Sequence, residues 1–188
     1  MSKIQKISEE EYLAGEHQSE IKHEYVRGEV FAMAGAKRGH NLICTNIVRK
    51  YGNTIVGKGC EIYQSDMRVQ VKSSGSYRYP DIVIVCGEPQ FTDDELDTLM
   101  NPTILIEVLS PTSANRDRGE KLAEYRQLES LQEYLLISQD TPHIEHLLRQ
   151  KDNTWLLSDT IGLDASLNLA SIGCTLAMAE VYERVSFS

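Results

Sequence analysis

The chain has 188 residues, of which 41% are hydrophobic and 25% charged. That length suits one domain, 1–188, with a substantial core, and no apolar stretch approaches the roughly 18 residues that span a bilayer. The formal net charge of −9 argues against tight non-specific binding to nucleic acid, while leaving a local basic patch open. The start, Met1-Ser2-Lys3-Ile4-Gln5, lacks the apolar core of a signal peptide, so a cytoplasmic address is expected.

The first predicted element is a helix. Ser8 can cap it, and Glu11 stands three positions on, as a capping box requires. Next, His23 to Phe31 reads as a hairpin turned at Arg27-Gly28. From Gly39 to Gly57, Leu42, Ile43, Ile47, Val48 and Tyr51 recur at three- and four-residue steps, which predicts an amphipathic helix lying on a sheet. Residues 61–64 and 67–71 alternate apolar with polar and read as a strand bent near Asp66. Ser73 to Ser76 is a loop.

Two strands then carry one acid each. Asp81 opens Ile82-Val83-Ile84-Val85-Cys86, and Glu107 closes the run Pro102-Thr103-Ile104-Leu105-Ile106, followed by Val108-Leu109. Their continuous β-branched and apolar character predicts burial on both faces. A carboxylate beside such a run is costly unless it is paired, hydrogen-bonded or bound to a metal. If the strands are antiparallel, both acids fall at one edge of the sheet, where a divalent cation would relieve their repulsion. A capped turn at Asp81 and a pairing of Glu107 with Arg118 or Lys121 is the structural alternative. A short helix is expected near Asp93 to Leu99, between the two strands. A helix from about Asp117 to Leu128 follows, with Asp117 as its cap and Glu120 three residues on. Lys121, Tyr125 and Leu128 share one of its faces. Lys121 either faces the acids or lies along the apolar surface and pairs with Asp117. Glu133 to Ile137 is another strand, and residues 144–148 and 154–157 form a hairpin turned at Lys151-Asp152-Asn153. In it His143 and His146 fall on opposite faces, which speaks against a metal pair. A closing helix runs from about Met178 to Arg184. The fold class is α/β (α+β): a central mixed sheet flanked by helices, with hairpins added at both ends. Cys44, Cys60, Cys86 and Cys174 form no CxxC pair and are expected to be reduced and buried.

The order Pro80-Asp81, then Glu107-Val108-Leu109, is similar to the PD-(D/E)xK nuclease superfamily. The longer strings Ile106 to Ser113, Asp117 to Leu122 with Tyr125, and Glu133 to Ile137 resemble a bacterial family described as putative restriction endonucleases. His23-Glu24-Tyr25 with Gly28-Glu29, Gly162 to Asp164 and Ala179 to Tyr182 extend the resemblance over most of the chain. It implies a restriction-endonuclease-like fold and a Mg²⁺- or Mn²⁺-dependent endonuclease acting on DNA. Asp81 and Glu107 would be catalytic metal ligands, with the Val108 carbonyl, Glu24 and Asp66 as further ligands. The superfamily's lysine normally lies two residues after the second acid, where this chain has Leu109. Lys121 would take its role from the following helix. His40 is a candidate base or phosphate contact, and Arg116 and Arg118 are candidate contacts to the nucleic-acid backbone. A homodimer is expected from the same resemblance. The rivals are a nuclease-fold binding module without turnover, and a metal hydrolase of a small phosphorylated compound. Lys121→Ala is expected to abolish activity with little change in melting temperature.

Overall fold

The computed structural model describes residues 6–92, 95, 97–110 and 113–187. Helix α1 (Glu9–Glu16) starts with the expected capping box between Ser8 and Glu11. Strands β1 (His23–Val26) and β2 (Glu29–Ala32) pair antiparallel. Arg27 and Gly28, at φ of 49° and 94°, make the left-handed turn between them. Helix α2 (Arg38–Gly57) buries Ile43, Cys44, Ile47, Tyr51 and Ile55, as its periodicity predicts.

Residues 60–71 do not make one bent strand. Ser65, at φ 58°, breaks them into β3 (Cys60–Gln64) and β4 (Arg68–Val71), which enter different sheets. Strand β5 (Ser76–Arg78) pairs with β1 and β4 and overlaps the predicted loop, Ser73 to Ser76, at its first residue alone. Strand β6 (Ile82–Cys86) carries the first apolar run. Thr98–Leu99 forms strand β7, parallel to β4, and not the end of a helix; Asp93, Asp94 and Leu96 lie outside the described residues.

Strand β8 (Ile104–Leu109) is buried along its whole length. It runs antiparallel to β6 and parallel to β9 (Glu133–Ser138). With the hairpin β10 (His143–Arg149) and β11 (Trp155–Ile161) this gives a mixed six-stranded sheet, order β11-β10-β9-β8-β6-β3. Ile104, Ile106 and Val108 face α2 and the hairpin β12 (Ser166–Leu169) and β13 (Cys174–Ala177). Leu105 and Leu109 face the opposite side, with Val83, Val85, Tyr125 and Tyr134. This is the two-sided burial that the apolar runs predict. A five-stranded sheet, β2-β1-β5-β4-β7, lies beside it, tied to α1 by Tyr12 stacked on Tyr25, with Tyr77 packed against both.

Between β8 and β9 the helix is not a plain α-helix capped at Asp117. It comprises α3 (Ala114–Arg116), a π-helical turn (Asp117–Lys121) and α4 (Leu122–Tyr125), so Asp117 is inside it and buried. A short α5 (Met178–Val181) closes the fold, and no helix among the described residues is long and apolar enough to cross a membrane.

The expectation of four reduced cysteines is corrected. Cys60 and Cys86 sit opposite each other in the β3–β6 register and form a disulfide; Cys44 and Cys174 are free and buried. The bridge joins residues separated by 26 positions, and chain entropy alone assigns it about 3.5 kcal/mol. Reduction is expected to lower the urea midpoint accordingly, with the chain still folded. An unchanged midpoint would mean the bridge adds nothing to the stability of the β3 edge.

Candidate active site

Ile82 pairs with Ile106 and Ile84 with Ile104. Continued by one residue, that register sets Asp81 opposite Glu107, where side chains emerge roughly 4.5–5.5 Å apart at Cβ. The antiparallel register thus brings both acids to one end of the sheet, the arrangement expected if the two strands pair in that sense. The two are further tied because the Val108 N–H donates to Asp81 Oδ2 at 2.7 Å. Val108, expected to offer its carbonyl, contributes its amide here.

The helix after β8 supplies the cation. Asp117, Lys121 and Tyr125 step by four and line one face. Lys121 is buried, its ammonium 2.9 Å from Glu107 Oε1, 3.1 Å from Glu24 Oε1 and 3.3 Å from Asp117 Oδ1. The two sequence alternatives for Lys121 are therefore both present: it faces Glu107 and also pairs with Asp117. Tyr125 donates its hydroxyl to the same Glu107 oxygen at 3.0 Å. π-Helical turns cost regular hydrogen bonding and occur often at functional sites; this one holds both Asp117 and Lys121 inward.

Strand β1 adds Glu24, and β5 holds it there. Arg78 is fully buried, 3.0 Å from Glu24 Oε2 and 2.8 Å from Glu124 Oε2. Arg116 reaches Glu24 at 3.2 Å and stacks over Phe31. From α2, His40 Nε2 lies 3.0 Å from Asp81 Oδ2. Glu24, His40, Asp81, Glu107, Arg116, Asp117 and Lys121 all line one pocket of about 390 Å³.

The electrostatics follow from crowding. Burial pushes Glu107 up to about 8, against the pull of Lys121 and with the charges of Asp81, Asp117 and Glu24 adding to it. Burial works to raise Glu24 as well, yet Lys121, Arg78 and Arg116 hold it below the usual carboxylate value. Lys121 is raised because Glu107, Glu24 and Asp117 outweigh its desolvation. Glu24 Oε1 and Asp117 Oδ1 are buried and accept no aligned hydrogen bond. A pocket with four carboxylates, two of them with such under-satisfied oxygens, suits a hard divalent cation.

Two expected site residues lie elsewhere. Asp66 is exposed and pairs with Lys22 at 2.6 Å, away from the pocket, because the break at Ser65 turns it out of the sheet. Arg118 points to the surface, where its Nε donates to Glu145 at 2.8 Å, since the π-helical turn directs its neighbours Asp117 and Lys121 inward. His143 and His146 pair separately with Asp159 and Glu133. Leu109 is packed in the core beside Tyr125. Asp117 and Arg78 were missed as site residues. For Asp117 the only signal was its i, i+4 spacing to Lys121, masked by its resemblance to a cap.

A mixed sheet with an acidic pair at one strand end, and a lysine presented by the next helix, defines a restriction-endonuclease-like protein. The chain belongs to the Uma2 family, described as "Putative restriction endonuclease", whose model matches residues 9–179. It is 38% identical over 160 residues to the uncharacterized protein sll1609 of Synechocystis sp., covering 85% of this chain and 90% of that one. A second Synechocystis protein, slr1290, is 33% identical over 182 residues, covering 97% and 94%. The crystal structure of a "putative nuclease belonging to DUF820" from Anabaena variabilis superposes with a TM-score of 0.76 at 16% identity, over 96% of this chain and 99% of that one. That likeness establishes the fold.

Proposed function

We propose that the protein is an endonuclease that hydrolyses phosphodiester bonds in DNA with Mg²⁺ or Mn²⁺. The observation that carries this reading is the meeting of Asp81, Glu107 and Lys121 in one pocket, with Lys121 at 2.9 Å from Glu107. Asp81 and Glu107 would hold the cation, with Glu24 and Asp117 placed to add oxygen ligands. When bound, it would polarise the scissile phosphate and acidify a water. Lys121 supplies a fixed positive charge for the developing negative charge on phosphorus oxygens. His40 orients Asp81 and can take or give a proton at Nε2. Arg116, at the pocket wall, is placed to contact a backbone phosphate. A homodimer acting on two strands completes this reading.

The test is nicking of supercoiled plasmid by the full chain with Mg²⁺ or Mn²⁺. Nicking by wild type, lost in Asp81→Ala, is expected. Metal binding without nicking would favour a binding module, a reading supported by Leu109 in the core and the charge of −9. Turnover of a sugar or nucleotide phosphate with DNA untouched would assign a small-molecule hydrolase. Glu107→Gln is expected to weaken Mn²⁺ binding at least about tenfold, because it removes a charged ligand; unchanged affinity by calorimetry would remove Glu107 from the metal site.

A further inference from the structure

Asp81 has a second set of neighbours that the hard-cation site does not use. His40 and Cys44 stand at i and i+4 on α2 and so share a face, and that face meets the start of β6. The ligand atoms of His40, Cys44 and Asp81 all lie within 4.8 Å of one another. The His40 ring sits between the other two, with Nε2 at 3.0 Å from Asp81 Oδ2 and Nδ1 at 3.9 Å from Cys44 Sγ. The side chains of His40 and Asp81 are 14% and 16% exposed, so the cluster is sheltered but reachable from the pocket; Cys44 lies beneath them at 1%.

We propose that His40, Cys44 and Asp81 form a second cation site, specific for a soft or borderline ion of the Zn²⁺ and Co²⁺ class, sharing Asp81 with the hard-cation site. The donor set decides the ion. One imidazole nitrogen, one thiolate and one carboxylate suit Zn²⁺ or Co²⁺, whereas Mg²⁺ takes oxygen ligands. Three protein ligands leave a fourth tetrahedral position toward the pocket. Metal–ligand bonds of about 2.0–2.3 Å put tetrahedral ligand atoms roughly 3.3–3.8 Å apart, closer than the 4.8 Å limit of this cluster, so binding requires the His40 ring to turn and present a single nitrogen to the ion. Burial, with Asp81 and Glu107 nearby, raises the Cys44 thiol, so the thiol is protonated without metal. Binding then exchanges the thiol proton for the cation, and one proton passes to solvent.

The consequence is competition. An ion on His40 and Cys44 draws Asp81 away from the Val108 amide and from Glu107. Zn²⁺ would then antagonise Mg²⁺ or Mn²⁺ at the adjoining site. The soft site does not depend on the nuclease reading, because it needs neither Glu107 nor Lys121.

The test is Co²⁺ titration of the oxidised full chain, read by thiolate-to-cobalt charge-transfer absorption in the near ultraviolet, with Zn²⁺ as competitor. Wild type is expected to develop the band at one equivalent and to lose it to Zn²⁺. Cys44→Ser and Cys44→Ala are expected to lack the band and to bind Zn²⁺ at least about tenfold more weakly. His40→Gln should weaken binding similarly. Cys174→Ser and Glu107→Gln should retain the band, the latter separating this site from the hard-cation one. Co²⁺ binding without the band, or Zn²⁺ affinity unchanged in both Cys44 variants, would overturn the site. Loss of the band in Cys174→Ser alone would also overturn it.

Discussion

Lys121→Ala is expected to abolish nicking and to destabilise the metal-free protein by about 3–5 kcal/mol. A lysine at the edge of a packed face, where helix periodicity sets Lys121, would cost little stability on removal. Its burial reverses that expectation. The ammonium is the shared counter-charge of Glu107, Glu24 and Asp117, at 2.9–3.3 Å from each. Removing it leaves three buried carboxylates facing one another. Part of the cost is relieved by proton uptake, first at Glu107, whose folded value of about 8 already lies above its ordinary 4.5. A group raised on folding stabilises fully below its unfolded value and loses that contribution as pH rises through its folded value. In wild type Glu107 already stays protonated up to about 8, and losing Lys121 raises it further, so its share of the variant's deficit grows as pH rises above about 8. Lys121→Met, which keeps the apolar stem, isolates the charge from the packing. Urea denaturation with chelator measures the deficit. Adding Mn²⁺ is expected to stabilise both Lys121 variants more than wild type, because the cation replaces the missing charge. A variant as stable as wild type in chelator would show that the carboxylates do not depend on this ammonium.

The parts of this site that could be read from sequence are those set by strand and helix period. Asp81 and Glu107 stand out because one opens and the other closes a run that must be buried on both faces, and antiparallel pairing then makes them neighbours. Lys121 is legible because it shares a helix face with Tyr125. Glu24 entered only through family resemblance, since nothing local distinguishes it from another strand-edge acid. Asp117 was misread because Asp followed three residues later by Glu matches a helix start, and a π-helical turn has no composition of its own. The break after Gln64 rests on a left-handed Ser65, which no periodicity announces. The Cys60–Cys86 bridge likewise depends on strand register rather than on spacing in the chain. Arg78 was invisible for a related reason. It sits in a three-residue strand, too short for a pattern, and arginine is seldom fully buried.

Arg78 carries the second large effect. It is fully buried, and Arg78→Ala is expected to destabilise by at least about 5 kcal/mol, so that little folded protein accumulates. Two terms add. Glu24 and Glu124, both buried, lose a charge partner, and the space of a guanidinium and its stem is left unfilled. Arg78→Lys restores the charge but not the fork that reaches both carboxylates, and is expected to cost about 1.5–3 kcal/mol. Arg78→Met with Glu124→Leu removes a buried pair together and replaces it with apolar volume, so it should be more stable than Arg78→Met alone. Glu24 keeps Lys121 and Arg116 in that double variant, at 3.1 and 3.2 Å in the present geometry. It nevertheless loses the guanidinium that ties it to β5. The double variant is thus expected to fold and to nick poorly, since Glu24 can then turn toward Lys121 and weaken its hold on Glu107. Equal stability of Arg78→Met and the double variant, by urea denaturation, would show that Glu124 and Arg78 are uncoupled. Full nicking activity in a folded double variant would show that Glu24 needs no support from β5.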